Sequence, residues 1–423
     1  MPASPTCKKS HAVSAIVIGA TLAVGVPLSA TANVITDWDE KAVAVVVPMA
    51  SLGKTPPEME RLMAIVHAAM FDAVNSIEPR YLPYLTQLPA APTTSKEAAA
   101  AAAAAAVLAT IDAKTAGDMQ TALAAYLGSI PEGAAKADGI ELGEAIAAKV
   151  IEARAQDGCD APEAYRPRTS PGVYVPTAVP ISSMWPDLTP FAIAKPSQFR
   201  PKPPVALDSE DWARDYNEIK DYGRRSSAKR TERQTETARF WLAVGPVAYH
   251  PFTRQLVIEK RMDVVDSARF MAFVSFAIND ALVAVMDAKY HYNFWRPITA
   301  IRNGDIDGNP ATELEATWQP IAMTPMHPEY PCAHCISSGA VAGVIKTALE
   351  SDLIPEIAMK SPTAPGVTHR FTDMTAYTEE VANARIWAGF HYRFSTRVGT
   401  DMGLQIGEYV VKNVMQPIQT SGR

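Results

Sequence analysis

Three short segments in the second half of the 423-residue chain combine cationic side chains with histidines. The first, "DAKYHYNFWRP", carries Lys289 and Arg296 among aromatic residues. Because these two residues are two helical turns apart, we expect both side chains on one face of a helix that Pro297 ends or kinks. The aromatic neighbours indicate burial, and a buried lysine and arginine need an anionic partner.

The second segment, "HPEYPCAHCISSGA", contains two histidines and two cysteines. Pro331 suits the first position of a helix, and the apolar residues that follow continue the helical pattern. The backbone N–H groups of Cys332, Ala333 and His334 would then lie unpaired at the helix N-terminus. Such a terminus attracts phosphate-like anions through its dipole and its free donors.

Zinc binding is an alternative interpretation of the same segment. Its histidines and cysteines, His327, His334, Cys332 and Cys335, are ligand types that zinc prefers. Their spacing is cramped, however, and zinc sites more often draw ligand pairs from two separate segments. The anion site is therefore the preferred interpretation.

The third segment, "ARIWAGFHYRFS", contains Arg385, Gly389 and His391. On an ideal helix Arg385 and His391 would not share a face. Gly389 is therefore expected to mark the helix end or a close approach of the backbone. Together the three segments predict a site for a tetrahedral oxyanion, built from three cations, two histidines and a helix N-terminus.

The elements that must position these segments are predicted to be helical. Few stretches alternate as strands do, so the predicted fold class is all-α, a multi-helix bundle. We expect one helical domain over residues 33–423, with an N-terminal helical layer at 55–160 and a proline-rich wrapping loop at 161–230. A helical bundle at 231–420, interrupted by a loop at 303–333, would carry the three segments.

The N-terminal layer contains two clear helix signals. Thr55 and Glu58 are typical of a helix start, and His67 falls at the spacing of the core residues that follow. The alanine tract at 97–112 predicts thin helices that pack closely together. In the proline-rich loop, aromatic residues are expected to anchor the chain.

The order and inner spacing of the three segments resemble a known superfamily. Lys-x6-Arg-Pro, then Pro-x-x-His at a helix start, then Arg-x3-Gly-x-His is similar to the motifs of vanadium-dependent haloperoxidases and type 2 phosphatidic acid phosphatases. The resemblance covers roughly residues 235–415 and is strongest to the secreted bacterial haloperoxidase-like branch. It implies the same helical-bundle fold and a bound vanadate, with phosphate as the competing oxyanion.

The resemblance also implies roles for single residues. His391 would ligate vanadate, or become the phosphorylated nucleophile in a phosphatase, and His334 would be its acid–base partner. Lys289, Arg296 and Arg385 would neutralise the oxygens of the anion.

Four further residues occupy positions at which the family has a characteristic residue. Cys332 and Ala333 stand where the family has a serine and a glycine that contact the anion. His327 stands where bromoperoxidases have a histidine, which makes it a candidate for tuning the site. Ser395 replaces an aspartate that orients the nucleophilic histidine in phosphatases, and this counts against the phosphatase alternative.

Three functional hypotheses follow from the resemblance. The leading one is a vanadate-dependent haloperoxidase-like enzyme that oxidises halide with hydrogen peroxide. The second is an acid phosphatase that hydrolyses phosphate esters through a phosphohistidine in the same pocket. The third is a non-catalytic oxyanion-binding protein whose site has drifted. The sequence does not indicate the halide preference or the organic substrate.

The start of the chain has the layout of a signal peptide, predicted at residues 1–32. Lys8 and Lys9 precede a short apolar run, and Ala30 and Ala32 supply small residues for cleavage. We therefore expect export to the periplasm or the extracellular space, with an uncleaved membrane anchor as the alternative. Since no other stretch looks long and apolar enough, we expect no membrane span in the mature form.

Export would leave an odd set of cysteines. Without Cys7, the remaining residues are Cys159, Cys332 and Cys335, and the compartment would be oxidising. One disulfide and one free thiol is the simplest state. The sequence leaves the pairing open, although a disulfide involving the second segment is preferred.

The net charge of the chain limits the kinds of binding partner that we expect. The net charge is -6 and no basic run stands out, which argues against a nucleic-acid partner. The expected partners are small molecules, namely hydrogen peroxide with a halide, or a phosphate ester. The oligomeric state stays open, with a homo-oligomer among the alternatives.

Overall fold

The computed structural model describes residues 33–176 and 178–419. The predicted signal peptide and its cleavage site lie outside the described residues. Within these ranges the chain is mostly helical, which confirms the predicted fold class, and it adds one two-stranded sheet that was not predicted.

The N-terminal layer consists of thin, closely packed helices and begins at Val34, before residue 55, where its start was expected. They are α1 (Val34–Val46), α2 (Pro56–Ile77), α3 (Lys96–Leu108), α4 (Ala113–Leu127) and α5 (Ala134–Arg154). Helix α2 begins where expected, because the Thr55 N–H donates to the Glu58 carboxylate at 2.7 Å. The alanine tract forms α3, and a Cβ on Gly143 of α5 would lie only 2.2 Å from the Ala99 carbonyl oxygen.

The proline-rich loop wraps around the helices, and its described residues between 155 and 209 form no α-helix. Its aromatic anchors include the fully buried Trp185. The loop is also held by a buried carboxylate, since Asp280 accepts hydrogen bonds from the backbone N–H groups of Phe191 and Ile193 at 2.7 and 2.9 Å. The predicted wrapping loop is therefore found.

The predicted end of this loop was wrong. A helix, α6 (Glu210–Tyr222), precedes the start that was expected near Thr231. Ser209 caps it by accepting from the Trp212 N–H at 3.1 Å, and Trp212, Tyr216 and Ile219 are buried along one face. The proline density of the preceding stretch obscured this short amphipathic pattern.

The second half of the chain contains the remaining helices. They are α7 (Glu232–Phe240), α8 (Pro246–Glu259), α9 (Val264–Tyr292), α10 (Pro297–Arg302), α11 (Ala333–Ala348), α12 (Met374–Trp387) and α13 (Arg393–Asn413). The loop predicted between residues 303 and 333 separates α10 from α11. The largest apolar core cluster contains residues of both halves, so the N-terminal layer and the second half share a core.

The unpredicted sheet is an antiparallel hairpin of β1 (Leu353–Lys360) and β2 (Thr368–Asp373). Ile357 pairs with Phe371, and both side chains are buried. Helix formers such as Glu356, Ala358 and Lys360 mask the alternating pattern of β1. Burial of one face of the hairpin outweighed this local propensity.

Helix α9 corrects a second expectation. It is long and apolar enough to cross a membrane by length and composition alone. Its most apolar part is fully buried inside the protein, between the N-terminal layer and the last helices. The apolar residues of α9 therefore form part of the core that both halves of the chain share.

Helices α11 and α13 form the most extensive helix pair of the described chain. Their contact is lined by glycines, Gly339 and Gly343 on α11 and Gly399, Gly403 and Gly407 on α13. A Cβ on any of these five would lie within 2.7 Å of a backbone atom of the other helix. The close approach fixes the N-terminus of α11 beside that of α13.

Replacing one of these glycines should destabilise the protein strongly. In Gly403→Ala the new Cβ would lie 2.1 Å from the Ile336 carbonyl oxygen, so the two helices must separate. We expect the free energy of unfolding to fall by about 3 kcal/mol, measured by chemical denaturation. The control Gly117→Ala, in α4 with open space around it, should gain up to about 1 kcal/mol. Equal stability of the two variants would contradict the close packing.

Candidate active site

Lys289 and Arg296 do not share a helix face, which corrects the first prediction. Helix α9 ends at Tyr292, and Asn293 adopts the left-handed conformation with φ of 52°. Arg296 lies after this turn, directly before α10, whose first residue is Pro297. The proline therefore begins a new helix instead of ending the old one.

Both cations nevertheless converge, because one backbone segment holds them. The Lys289 ammonium donates to the carbonyl oxygens of Pro328 and Glu329 at 2.9 and 2.7 Å. The Arg296 Nε donates to the His327 carbonyl oxygen at 2.9 Å. The two side chains are 0% and 1% exposed, so the predicted burial is confirmed.

The second segment places α11 two residues later than expected. Cys332 is the N-cap and Ala333 the first helical residue, while Pro331 precedes the helix. The backbone N–H of Cys332 is not free, since it donates to the Ser395 carbonyl oxygen at 3.3 Å. The N–H groups of Ala333 and His334 have no hydrogen-bond partner within the described ranges, as predicted for an anion-binding terminus.

The cysteines of this segment form a disulfide with each other. Cys332 and Cys335 are bonded and both fully buried, and Cys159 is the free cysteine. The preferred disulfide is thus found, and the zinc alternative fails because neither sulfur is a free thiolate. Cys332 offers no free donor to an anion, so its predicted contact role is not supported by the geometry.

The third segment ends its helix where the glycine predicted. Helix α12 stops at Trp387, and Gly389 has a φ of 82°, which favours glycine. A Cβ there would also lie 2.4 Å from the Gly223 carbonyl oxygen. The turn brings His391 back toward Arg385, whose guanidinium donates to the Trp241 carbonyl oxygen at 2.6 Å.

We call Lys289, Arg296, Arg385, His334 and His391 the cradle. Its most defined member is His391, whose Nδ1 lies 2.8 Å from Glu329 Oε1. A neutral imidazole in this position donates from Nδ1, which leaves the Nε2 lone pair as an acceptor. Nε2 accepts from Arg296 Nη1 at 3.2 Å.

Glu329 is the functional residue that the sequence analysis missed. It is fully buried and also accepts from the Tyr392 N–H at 3.2 Å. Ser395 stands where the phosphatases of the superfamily carry an orienting aspartate, so the sequence pattern offered no orienting carboxylate at that position. The structure supplies one from the second segment instead, and the acid between His327 and Pro331 was the available signal.

The other two histidines lie beside the cradle cations. His334 Nε2 lies 2.9 Å from the Ala243 carbonyl oxygen and therefore donates to it, which leaves Nδ1 as the unprotonated nitrogen of a neutral ring. Its side chain is partly exposed, unlike that of His391. His327 Nδ1 accepts from Arg296 Nη2 at 3.0 Å, so this candidate tuning residue contacts the cradle directly.

Burial and mutual repulsion set the electrostatics of the site. Burial, reinforced by Arg296, lowers the pKa of Lys289 well below its usual value. Burial and the nearby cations also hold the pKa of His391 and that of His334 well below the ordinary histidine value. Burial raises the pKa of Glu329 to about 7, although Lys289 and Arg296 oppose this shift.

A cavity of about 360 Å³ opens onto the cradle. Arg385, His334 and His391 line it, together with His327 and Ala333. Lys289 and Arg296 do not line this cavity, and Arg296 reaches it through its contacts with the histidines. Residues of α2, α8, α9 and the proline-rich loop complete the walls.

The donor set fits a tetrahedral oxyanion such as vanadate. Three cations are buried together, and in the described part of the chain Glu329 is the carboxylate that hydrogen-bonds to a cradle side chain. The Nε of Arg385 is buried without a hydrogen-bond partner in residues 33–176 and 178–419. A bound anion would offset the excess buried positive charge and accept hydrogen bonds from the unpaired donors.

Comparison with known proteins also points to vanadium haloperoxidases. Residues 269–420 match the family model described as the VCPO second helical-bundle domain. This stretch of the chain is therefore similar in sequence to the vanadium haloperoxidase superfamily. A vanadium chloroperoxidase from Curvularia inaequalis is 28% identical over 29% of this chain and 24% of its own length. The chain thus matches about a quarter of that relative.

Solved structures extend the likeness to most of the fold. A bacterial vanadium-dependent iodoperoxidase superposes with a TM-score of 0.76 at 22% identity, over 91% of this chain and 98% of its own. A bacterial vanadium-dependent chloroperoxidase in its holo form superposes with a TM-score of 0.68 at 17% identity, over 85% and 92%. The resemblance found in the three segments is confirmed, and the shared vanadium haloperoxidase fold includes the N-terminal layer.

The low pKa of the cavity histidines predicts a loss of stability in acid. His327, His334 and His391 stay neutral in the folded protein, whereas the unfolded chain takes up protons as the pH falls through about 6.5. Stability present above this pH is lost below it, by up to about 1.4 kcal/mol per pH unit for each histidine. Thermal unfolding from pH 7.5 to 5 measures the slope, and added phosphate should reduce it.

Two variants separate this effect from general acid unfolding. His334→Asn removes one of the three groups and should give a shallower slope. His291→Asn, at an exposed position near the end of α9, should leave the slope unchanged. An unchanged slope in His334→Asn would contradict the assignment.

Proposed function

We propose that this protein is a vanadate-dependent haloperoxidase that oxidises halide with hydrogen peroxide. The observation that carries the proposal is the state of His391. Its Nε2 lone pair faces buried cations while a buried carboxylate holds Nδ1. A neutral imidazole presented in this way is the ligand that an oxyanion of vanadium requires.

The cradle residues would divide the binding of vanadate. His391 Nε2 would be the ligand atom, Arg385 would supply guanidinium donors from the cavity wall, and Arg296 would add positive charge beside His391. Lys289 adds positive charge from behind the His327–Glu329 segment. The Ala333 N–H contributes a backbone donor at the α11 N-terminus. Bound vanadate would supply the Lewis acidity that makes hydrogen peroxide electrophilic toward a halide.

His334 would move the proton in this reaction. Because its Nε2–H donates to the Ala243 carbonyl oxygen, Nδ1 is free to take a proton from hydrogen peroxide. The reaction consumes one peroxide, one halide and one proton, and gives hypohalous acid and water. Nδ1 returns this proton to the departing oxygen, which takes its second proton from solvent and leaves as water, while the other peroxide oxygen keeps its hydrogen in hypohalous acid. The low pKa of His334 keeps Nδ1 available before peroxide arrives.

His327 is proposed to tune the cradle without touching the reacting atoms. Its Nδ1 accepts from Arg296 Nη2, and its carbonyl oxygen accepts from Arg296 Nε. A change in the protonation of His327 would therefore change how Arg296 donates to His391.

An acid phosphatase is the second candidate, and one observation favours it. The orienting carboxylate whose loss counted against this reaction is present, because Glu329 holds His391 from a different position in the chain. His391 Nε2 could then attack a phosphate ester, and His334 could protonate the leaving oxygen. The free donors of the cradle also make drift to a non-catalytic binding protein the weakest alternative.

Activity measurements distinguish these functions. Protein loaded with orthovanadate should brominate a reporter dye in the presence of hydrogen peroxide and bromide, and chloride and iodide are tested in parallel. His391→Ala should lower kcat/KM by more than about a hundredfold and remove vanadate binding. His291→Ala, at an exposed position, is the matched control and should keep both.

Other outcomes of these assays would favour one of the alternatives over the haloperoxidase proposal. Vanadate-free protein is assayed against an aryl phosphate, which the phosphatase candidate should hydrolyse. Bound vanadate without halogenation at any pH would overturn the haloperoxidase proposal. Vanadate binding that depends on His391, with turnover of neither substrate, would support the binding-only alternative.

Glu329→Gln tests the positioning role of the carboxylate. The amide can still accept from His391 Nδ1, but it loses the charge that makes Nε2 basic. We expect the Kd for vanadate to rise about tenfold with little change in Tm, measured by equilibrium dialysis and calorimetry. Glu313→Gln, whose side chain is 87% exposed, should change neither value. An unaltered Kd in a folded Glu329→Gln protein would argue that Glu329 has only a structural role.

A further inference from the structure

The cavity has a carboxyl group on the wall formed by α2. Glu60 lines the cavity and is 0% exposed, yet both of its carboxyl oxygens lack a hydrogen-bond partner in the described part of the chain. The nearest cation is His250, whose Nε2 lies 3.4 Å from Oε2. A buried carboxyl group without hydrogen bonds is unfavourable unless a ligand completes it.

A buried network behind Glu60 fixes its partner. His250 Nδ1 lies 2.6 Å from Asp39 Oδ1, and His67 Nε2 lies 2.9 Å from the same oxygen. Arg254 Nη1 donates to the other oxygen of Asp39 at 2.7 Å. Burial lowers the pKa of His250, but Asp39 and Glu60 outweigh it and raise the value to about 9.

The same network is not proposed as a metal site. Asp39, His67 and His250 are fully buried and close enough together to hold an ion. However, Arg254 already neutralises Asp39, and both imidazoles already hydrogen-bond to it. The network therefore positions His250, and His250 positions Glu60. His67 is a core residue, as predicted, within this polar cluster.

The rest of the cavity wall is largely apolar. It includes Pro57, Ile181, Leu242, Leu282, Met286 and Phe390. Met323, which is 88% exposed, and Val244, which is 42% exposed, line the cavity where it meets solvent. The cavity therefore has a cationic site, an apolar wall and one carboxyl group, and it is much larger than halide and peroxide need.

We propose that this cavity binds an organic molecule with an apolar body and one O–H or N–H donor, and that Glu60 accepts the hydrogen bond from that donor. The proposal deepens the proposed function, because such a molecule would be the acceptor of the oxidised halogen. A carbon–hydrogen bond of the bound molecule would be replaced by a carbon–halogen bond, and the released proton would leave with the hydroxide of hypohalous acid as water. The binding step itself requires neither vanadate nor halide.

Calorimetric titration of vanadate-free protein tests the binding step. The probes are 4-propylphenol, 4-propylaniline and 4-propylanisole, which share an apolar body and differ in the donor. Wild-type protein should bind the phenol or the aniline at least about tenfold more tightly than the anisole, which has no donor to offer. The comparison of phenol with aniline shows which donor the site prefers.

Glu60→Leu identifies the acceptor. The change keeps the approximate size of the side chain, removes both acceptor oxygens and should reduce the preference for the donor-bearing probes by about tenfold, with little change in the anisole affinity. Glu144→Leu, on the exposed face of α5, is the matched control and should bind as wild type does. Loss of the preference in Glu60→Leu alone would support the assignment.

Two outcomes would overturn the proposal. One is equal binding, or no binding, of all three probes by wild-type protein, which requires no variant to fold. The other is a preference that persists in Glu60→Leu, which has no acceptor at this position. Because the titration contains no vanadate, halide or peroxide, its failure is distinct from a failure of the haloperoxidase proposal, which the bromination assay decides.

Discussion

Burial of three cations close together, with one of them on the cavity wall, is the constraint on which the rest of the site depends. Lys289, Arg296 and Arg385 repel one another in a region from which water is largely excluded, and Glu329 offsets only part of that charge. The chain tolerates this because backbone carbonyl oxygens accept from each cation, mainly from the segment at 327–329. These carbonyl groups hold the cations without neutralising them, so the remaining positive charge is available to an anion.

Much of the site could be predicted from the sequence because each segment carries its own geometric signal. Gly389 marked the end of α12, and the free N–H groups of α11 followed from a helix start in an apolar run. The geometric argument for Lys289 and Arg296 was wrong, although their convergence was predicted correctly. The cations converge because a loop turns both toward the carbonyl groups of another segment, and such a tertiary contact has no periodicity.

What could not be predicted depends on contacts between distant segments. Glu329 and Glu60 are ordinary acids in the sequence, and only the fold shows that one holds His391 and the other faces the cavity. The early start of α6 and the β1–β2 hairpin were missed for a related reason. Their local propensities are weak, and burial against neighbouring elements decides their conformation. The thin N-terminal helices were predicted, but their contribution to the cavity wall was not.

The buried positive charge that would bind the anion also keeps Nε2 of His391, the proposed ligand atom, unprotonated. A protonated His391 could neither ligate vanadium nor attack phosphorus, because Nε2 would carry a proton. Arg296 and Lys289 disfavour that proton by repulsion, and Glu329 directs the single proton of the neutral ring to Nδ1. The lone pair on Nε2 is therefore present before the anion arrives. This preorganisation serves halide oxidation and phosphoryl transfer equally, so the choice between them rests on what enters the cavity rather than on His391.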